Sequence, residues 1–183
     1  MVLLAVEVAE TLAEHASLWA IRLAMLAMLL TFAMQIRGAK ATSLTVSIAW
    51  FSGAICALCH SIGALFAFHE GSHEAAFKST AKQTEDMLGF SFGIGLYVNY
   101  LFVLIWLLDA LFRFIKPDVY SKLGAYFHWT VYGFLSFIAI NGTVVFKDGW
   151  IRWLTLAAIA GLVAMWLLRP TQAKEIDLNV SQS

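Results

Sequence analysis

The stretch that decides the fold runs from Ala41 to His69 and reads ATSLTVSIAWFSGAICALCHSIGALFAFH. Its 29 residues contain no Asp, Glu, Lys or Arg. Because about 20 apolar helical residues cross the ~30 Å hydrocarbon core of a bilayer, this stretch predicts a transmembrane helix. The composition agrees, since 61% of the 183 residues are hydrophobic and 13% are charged, against roughly 25% charged residues in soluble domains. The sequence therefore predicts an integral membrane protein.

Four further uncharged runs extend over residues 23–36, 87–108, 123–146 and 153–168. The first and last are short, and each is completed by an arginine near its end, Arg22 or Arg152, whose apolar stem can extend toward the interface. We predict an all-α, polytopic transmembrane helix bundle that forms a single domain over residues 1–183. Its five spans are expected at about 17–36, 44–68, 87–109, 123–146 and 150–168, with a polar C-terminal tail at 171–183.

The distribution of basic residues predicts the orientation. Placing the N-terminus outside puts seven basic residues on the cytoplasmic side and four outside, which the positive-inside rule favours. The seven are Arg37, Lys40, Arg113, Lys116, Lys122, Arg169 and Lys174, and the four are Lys78, Lys82, Lys147 and Arg152. We therefore expect a multi-pass protein of the inner (plasma) membrane with a cytoplasmic C-terminus.

The expected partners follow from charge and packing motifs. A net charge of zero, without a cluster of Lys and Arg, argues against nucleic acid. Gly89 and Gly93 form a GxxxG at the start of the predicted third span, a motif that brings helices together in lipid. The expected partners are the lipid bilayer and a helix-packing protein or a second copy of the chain.

Two chemistry motifs overlap the first stretch. Cys56, Cys59 and His60 match CxxCH, the attachment motif for c-type haem. Because they lie well inside a predicted span, beyond the reach of attachment machinery, the cysteines are interpreted as small packing residues. Non-covalent haem on His60 would need a second axial ligand, and the other span histidine, His128, lies about 18 Å away in depth.

His69, Glu70 and His73 match HExxH, in which two histidines on one helix face bind zinc and the glutamate acts as general base. Gly71 and Ser72 disfavour a continuous helix here. A third ligand is also required, for which the nearby candidates are Glu14, His15 and Glu74. Intramembrane zinc proteases use an aspartate from a later span, which Asp109 superficially resembles. Asp109 is predicted at the opposite end of the membrane from His69, with Arg113 as its ion-pair partner.

Several other polar residues lie in or near predicted spans. An ionisable residue inside the membrane is a candidate functional residue by default. We expect His60 to hydrogen-bond Tyr97 or Asn99 on the third span, and Asn99 to form a bond between helices. Arg22 is expected to bind an external acid, Glu70 or Glu74, or a lipid phosphate.

A set of residues across about fifty positions resembles a family of small bacterial multi-pass membrane proteins with no assigned function. The set is His60, His69, Ser72, His73, Thr80, Ala81, Thr84, Gly93, Gly95, Tyr97, Asn99, Tyr100, Trp106 and Asp109. The resemblance implies a helical membrane protein and supplies no reaction. Its pattern requires neither the CxxCH cysteines nor Glu70.

Three functional hypotheses remain from the sequence. The leading one is a non-enzymatic membrane component or accessory subunit. The alternative is a metal- or haem-binding protein near the outer ends of spans two and three, with Zn, Cu or Fe at His69 and His73, or haem at His60. A transporter for a small solute would use His60, Tyr97 and Asn99 as a polar pathway. The sequence leaves open whether the protein is an enzyme.

Overall fold

The computed structural model describes residues 2–146 and 149–168. All regular structure in these ranges is helical. The helices are α1 (Val2–Ile36), α2 (Leu44–His69), α3 (His73–Leu88), α4 (Gly95–Ile115), α5 (Pro117–Tyr120), α6 (Ala125–Ile140), a π-helix (Asn141–Val145) and α7 (Trp150–Leu167). The predicted all-α helix bundle is confirmed. The predicted polar tail at 171–183 lies outside the described residues.

Four of the described helices are long and apolar enough to cross a membrane: α1 over Thr11–Ile36, α2, α4 and α7. Each contains an apolar segment near the ~20 residues that a bilayer core requires. The chain is therefore a multi-pass membrane protein whose apolar helix faces are suited to a lipid environment.

The structure differs from the prediction at the third and fourth of the five spans. The third begins at Gly95 rather than at residue 87, because α3 occupies residues 73–88 and ends at Gly89 with a positive φ of 80°. Gly89 and Gly93 therefore lie outside α4 and form no GxxxG helix face. The fourth predicted span corresponds to α6, which has 16 residues and spans only about 24 Å, and continues as the five-residue π-helix.

The core forms where α1, α2 and α4 pack together. Gly53 on α2 allows this approach, because a Cβ at this position would lie 2.7 Å from Cζ2 of Trp106 and 3.1 Å from Cβ of Ala27. Trp50 and Trp106 are fully buried, and their ring centroids lie 5.1 Å apart. Small residues thus let three helices meet closely around two large indole rings.

The amphipathic helix α3 occupies most of the segment between the second and third predicted spans. Its N-cap is Ser72, whose hydroxyl accepts a hydrogen bond from the Ala75 amide at 3.2 Å. Ala76 and Thr84 are buried, while charged residues such as Glu74 and Lys78 are exposed. The helix therefore packs one apolar face on the bundle and leaves its polar face outward.

Substituting Gly93 by Ala is expected to loosen α3. The new Cβ would lie 2.5 Å from Cε1 of Phe77, so the half-buried ring must move, at a cost of about 1 kcal/mol. Trypsin cleavage at Lys78 and Lys82 should accelerate about fivefold. Gly124→Ala is the control, since no atom lies within 4 Å of its new Cβ. Equal cleavage rates in the two variants would show that Phe77 does not hold α3.

Candidate functional site

A buried ion pair lies near the end of α4. Asp109 and Arg113 are 4% and 1% exposed, and Nη2 of Arg113 lies 3.3 Å from Oδ2 of Asp109. Their spacing of four residues places both side chains on one helix face. The predicted partner of Asp109 is therefore confirmed. Because an unpaired charge in this position would be costly, the surrounding residues must satisfy both groups.

The Asp109 carboxylate accepts hydrogen bonds from three different helices. Nε1 of Trp50 on α2 donates to Oδ2 at 2.7 Å, and the Tyr120 hydroxyl on α5 donates to Oδ1 at 2.9 Å. Arg113 on α4 supplies the third bond. Charge-assisted bonds of this kind are stronger than neutral ones. The carboxylate thus ties α2, α4 and α5 together.

The Arg113 guanidinium lies among aromatic side chains. Its Nη2 donates to the hydroxyls of Tyr120 at 3.1 Å and Tyr132 at 2.6 Å. The guanidinium carbon lies 5.0, 5.1 and 5.7 Å from the ring centroids of Trp50, Tyr120 and Tyr132. Within the described residues its Nε and Nη1 atoms have no hydrogen-bond partner, so cation–π attraction to the rings compensates part of their lost hydration.

Two further features complete the network. The Tyr132 hydroxyl on α6 donates to Oε1 of Gln35 on α1 at 3.4 Å, which extends the network to the end of α1. Burial raises the pKa of Tyr120 above its ordinary value, an effect partly opposed by the Arg113 charge. The Tyr120 hydroxyl therefore remains protonated at neutral pH and keeps donating to Asp109.

Sequence reasoning found the two charged members of this network and missed the other four: Gln35, Trp50, Tyr120 and Tyr132. The i, i+4 spacing of Asp109 and Arg113 was the available signal. The missed residues lie on four other helices, and the three aromatic ones look in the sequence like ordinary membrane-facing or core residues. Tyr120 lies three residues after Pro117, and its sequence context carried no sign that the short α5 would turn it inward.

His60 bonds to α1 rather than to α4. Its Nδ1 lies 2.9 Å from the Ser17 carbonyl oxygen and 3.1 Å from the Ser17 hydroxyl. Ser17 is 3% exposed, and a Cβ at Gly63 would lie 3.3 Å from its Cβ. The predicted partners Tyr97 and Asn99 are thus replaced by a serine on the neighbouring helix.

The HExxH residues do not share a helix. Helix α2 ends at His69, Glu70 has a left-handed φ of 51°, Gly71 has a φ of 74°, and His73 begins α3. The i, i+4 geometry that the zinc motif needs is therefore broken between its two histidines. His73 instead packs near Tyr97, with ring centroids 5.5 Å apart.

The proposed third ligands have other contacts. Glu74 pairs with Lys78 at 2.6 Å, and Nδ1 of His15 lies 2.7 Å from the Thr11 carbonyl oxygen. Glu14 belongs to no cluster of metal-ligating side chains among the described residues. Across the described residues, no cluster of three or more His, Cys, Asp or Glu side chains is arranged to hold a metal ion.

We expect purified protein to contain Zn, Cu and Fe well below one atom per chain, because the break at Glu70 separates His69 from His73. Elemental analysis after gentle purification without chelators measures this directly. A His69→Ala, His73→Ala variant is the comparison. Stoichiometric metal in the wild-type protein that the double variant lacks would restore the metal-binding hypothesis.

The remaining predicted residues lie apart from the network. Arg22 lies over the rings of Trp19 at 4.8 Å and Trp150 at 5.9 Å, rather than beside Glu70 or Glu74. These contacts bring α7 against α1. Cys56 packs against the core, whereas the Cys59 thiol is exposed, so the packing interpretation fits only the first.

Tyr97 and Asn99 are both exposed near the start of α4. Asn99 makes no side-chain hydrogen bond within the part of the chain that the structure describes. The predicted bond between Asn99 and another helix of this chain is therefore wrong.

The geometry thus holds two charges inside a bundle and connects five helices through them. The Asp109 carboxylate accepts three hydrogen bonds from donors of this chain. This favours a positioning role over a reactive one. No family model, curated protein or solved structure matches this chain.

Proposed function

We propose that the protein is a non-enzymatic membrane component, an accessory subunit that packs against a transmembrane helix of another protein. The buried network supports a structural role, because Asp109 is engaged by three donors and serves to fix helices relative to one another. The incomplete coverage of α4 supports the presence of a partner.

The observation that carries the proposal is one face of α4. Val103, Trp106 and Ala110 are buried on this face, and the i, i+4, i+7 spacing continues it back to Asn99. At Asn99 the same face is exposed. A side-chain amide on a membrane helix gains energy from a partner on a neighbouring helix. A helix from another chain that offers a polar side chain would complete this face.

Helix α7 supports the same conclusion. None of its residues is buried, although it is apolar enough to cross a membrane. Such a helix leaves most of its surface for lipid or for another protein.

The proposed location is the inner (plasma) membrane, with the N-terminus outside and the C-terminus in the cytoplasm. The two connecting segments at the network end, residues 37–43 and 116–124 with α5 inside the second, carry Arg37, Lys40, Lys116 and Lys122. The positive-inside rule supports an orientation in which the Asp109 network lies near the cytoplasmic surface.

Site-specific photo-crosslinking in native membranes tests the proposal. A benzophenone amino acid is introduced at Asn99 and, as the control, at Leu104, which is 52% exposed and lies about 140° around the helix from Asn99. We expect a protein adduct of one defined mass at position 99 and lipid adducts at position 104. The adducted protein should also co-purify with the wild-type chain, be retained by Asn99→Gln and be released by Asn99→Leu.

Two outcomes would contradict this function. Equal protein adducts at both positions, or lipid adducts alone at both, would show that this face has no specific partner. An adduct of twice the chain's mass would identify a homo-oligomer instead of an accessory subunit.

A further inference from the structure

A pocket lies at the network end of the bundle. Its volume is about 240 Å³, and it is lined by Lys40, Ala41, Thr42, Tyr120, Ser121 and His128. The pocket therefore lies between the loop that joins α1 to α2 and the segment that joins α5 to α6. Its volume is several times the ~30 Å³ that one water molecule occupies in the liquid, so a hydrated phosphate-sized group fits.

The charged residues around this pocket are mainly basic. Lys40 is exposed, and it forms no ion pair within the described residues, where the two ion pairs are Lys78–Glu74 and Arg113–Asp109. Three more basic residues lie in the two connecting segments at this end, Arg37, Lys116 and Lys122, against one acidic residue, Asp118. The segments therefore produce a positive potential near the pocket.

His128 supplies an unsatisfied polar atom. Its Nδ1 is buried and has no hydrogen-bond partner in the described part of the chain. The ring is held by aromatic neighbours, with centroids 5.0 Å from Tyr120 and 5.5 Å from Phe127. Because Nδ1 is shielded, the ring offers a ligand its other nitrogen, Nε2, which is not among the buried unpartnered atoms of the described residues.

The available polar groups are those that suit an anion. The Lys40 ammonium and the Thr42 hydroxyl are donors without a described partner, and His128 can donate through Nε2. Tyr120 and Ser121 already donate elsewhere, to Asp109 and to the Asp118 carbonyl, so they shape the pocket without adding donors. Lysine and hydroxyl donors beside an imidazole are typical of phosphate recognition.

We propose that this pocket binds a phosphate group, carried either by an anionic lipid or by a soluble ion. A phosphate has several acceptor oxygens and a concentrated negative charge, which matches one ammonium and two neutral donors. A basic pocket between transmembrane helices at the cytoplasmic surface is also a known setting for lipid headgroups. The site is separate from the Asn99 face and does not depend on an accessory-subunit role.

Binding to the detergent-purified full chain tests the proposal with two probes. The first is inorganic phosphate, followed by calorimetry and by the rise in the unfolding temperature. The second is phosphatidylglycerol in nanodiscs, followed by native mass spectrometry and compared with phosphatidylcholine. Binding of the free ion identifies a soluble phosphate ligand, and selective retention of phosphatidylglycerol identifies a lipid headgroup.

Matched variants locate the site. Lys40→Gln and His128→Phe should each weaken binding of the probe that binds by about tenfold, since each removes one donor. The phenylalanine keeps the ring that packs on Tyr120. Lys116→Gln and Lys122→Gln are controls, because both are basic residues of the same end that do not line the pocket, and each should change affinity less than twofold.

Three results would overturn the proposal. The first is that neither probe binds the wild-type chain. The second is that all four variants weaken binding equally, as expected for a diffuse electrostatic attraction. The third is that Lys40→Gln leaves the affinity unchanged. Because Lys40 is exposed, its variant should fold, so the test stands even when His128→Phe does not.

Discussion

Arg113→Met is expected to cause the largest loss of bundle stability and to lower the yield of folded protein from membranes. Removing the cation leaves Asp109 buried with a net charge, and breaking a buried pair in this way costs about 3–5 kcal/mol. Total stabilities of folded domains are about 5–15 kcal/mol. The measurement is denaturant unfolding of detergent-purified protein, followed by helicity, together with the yield of protein from membranes.

The chain contains a matched control for this substitution. Glu74 and Lys78 have the same i, i+4 spacing on α3, but their side chains are 76% and 74% exposed. Exposed pairs contribute about 0–1 kcal/mol, so Lys78→Met should be nearly neutral. The double variant Asp109→Asn, Arg113→Met should recover part of the lost stability, since no charge remains buried. Equal effects of Arg113→Met and Lys78→Met would show that the network does not stabilise the bundle.

Gly53→Val is expected to produce the second large loss. The new Cβ would lie 2.7 Å from Cζ2 of the fully buried Trp106, and the additional methyl groups increase the overlap. Overpacking of this kind costs about 1–3 kcal/mol and sometimes more. Because Trp106 also contacts Trp50, movement of its ring disturbs the indole that donates to Asp109.

Gly161→Val is the control for Gly53→Val. Both glycines lie inside apolar helices, and no atom lies within 4 Å of a Cβ built at Gly161. We expect Gly161→Val to change the unfolding midpoint by less than a quarter of the Gly53→Val shift. Similar shifts would indicate that helix propensity, rather than contact with Trp106, determines the effect.

The sequence predicted the helix bundle well because uncharged length is nearly sufficient to identify a membrane helix. Composition could not locate the beginning of α4, because residues 87–94 are as apolar as a span. Residues with positive φ angles end these helices, Glu70 at the end of α2 and Gly89 at the end of α3. Glutamate rarely adopts such a backbone, so the break inside HExxH could not be read from residue types.

The candidate site was only partly predictable for a related reason. The pairing of Asp109 with Arg113 is local and follows from helix periodicity. Its partners Trp50 and Tyr132 lie far away along the chain, and which helices become neighbours is determined by close contacts such as Gly53 against Trp106. His60 shows the same limit, since its partner Ser17 lies 43 residues earlier.

The Asp109 network fixes the helices relative to one another at one end of the bundle. From Asp109 back to Gly95, α4 extends about 21 Å and reaches the exposed region around Asn99 and Tyr97. Over this length, a tilt of α4 by roughly 5° at the network displaces its opposite end by about 2 Å. Small changes at the pocket wall formed by Tyr120 would therefore be magnified across the membrane, so the two ends of this chain are mechanically unequal.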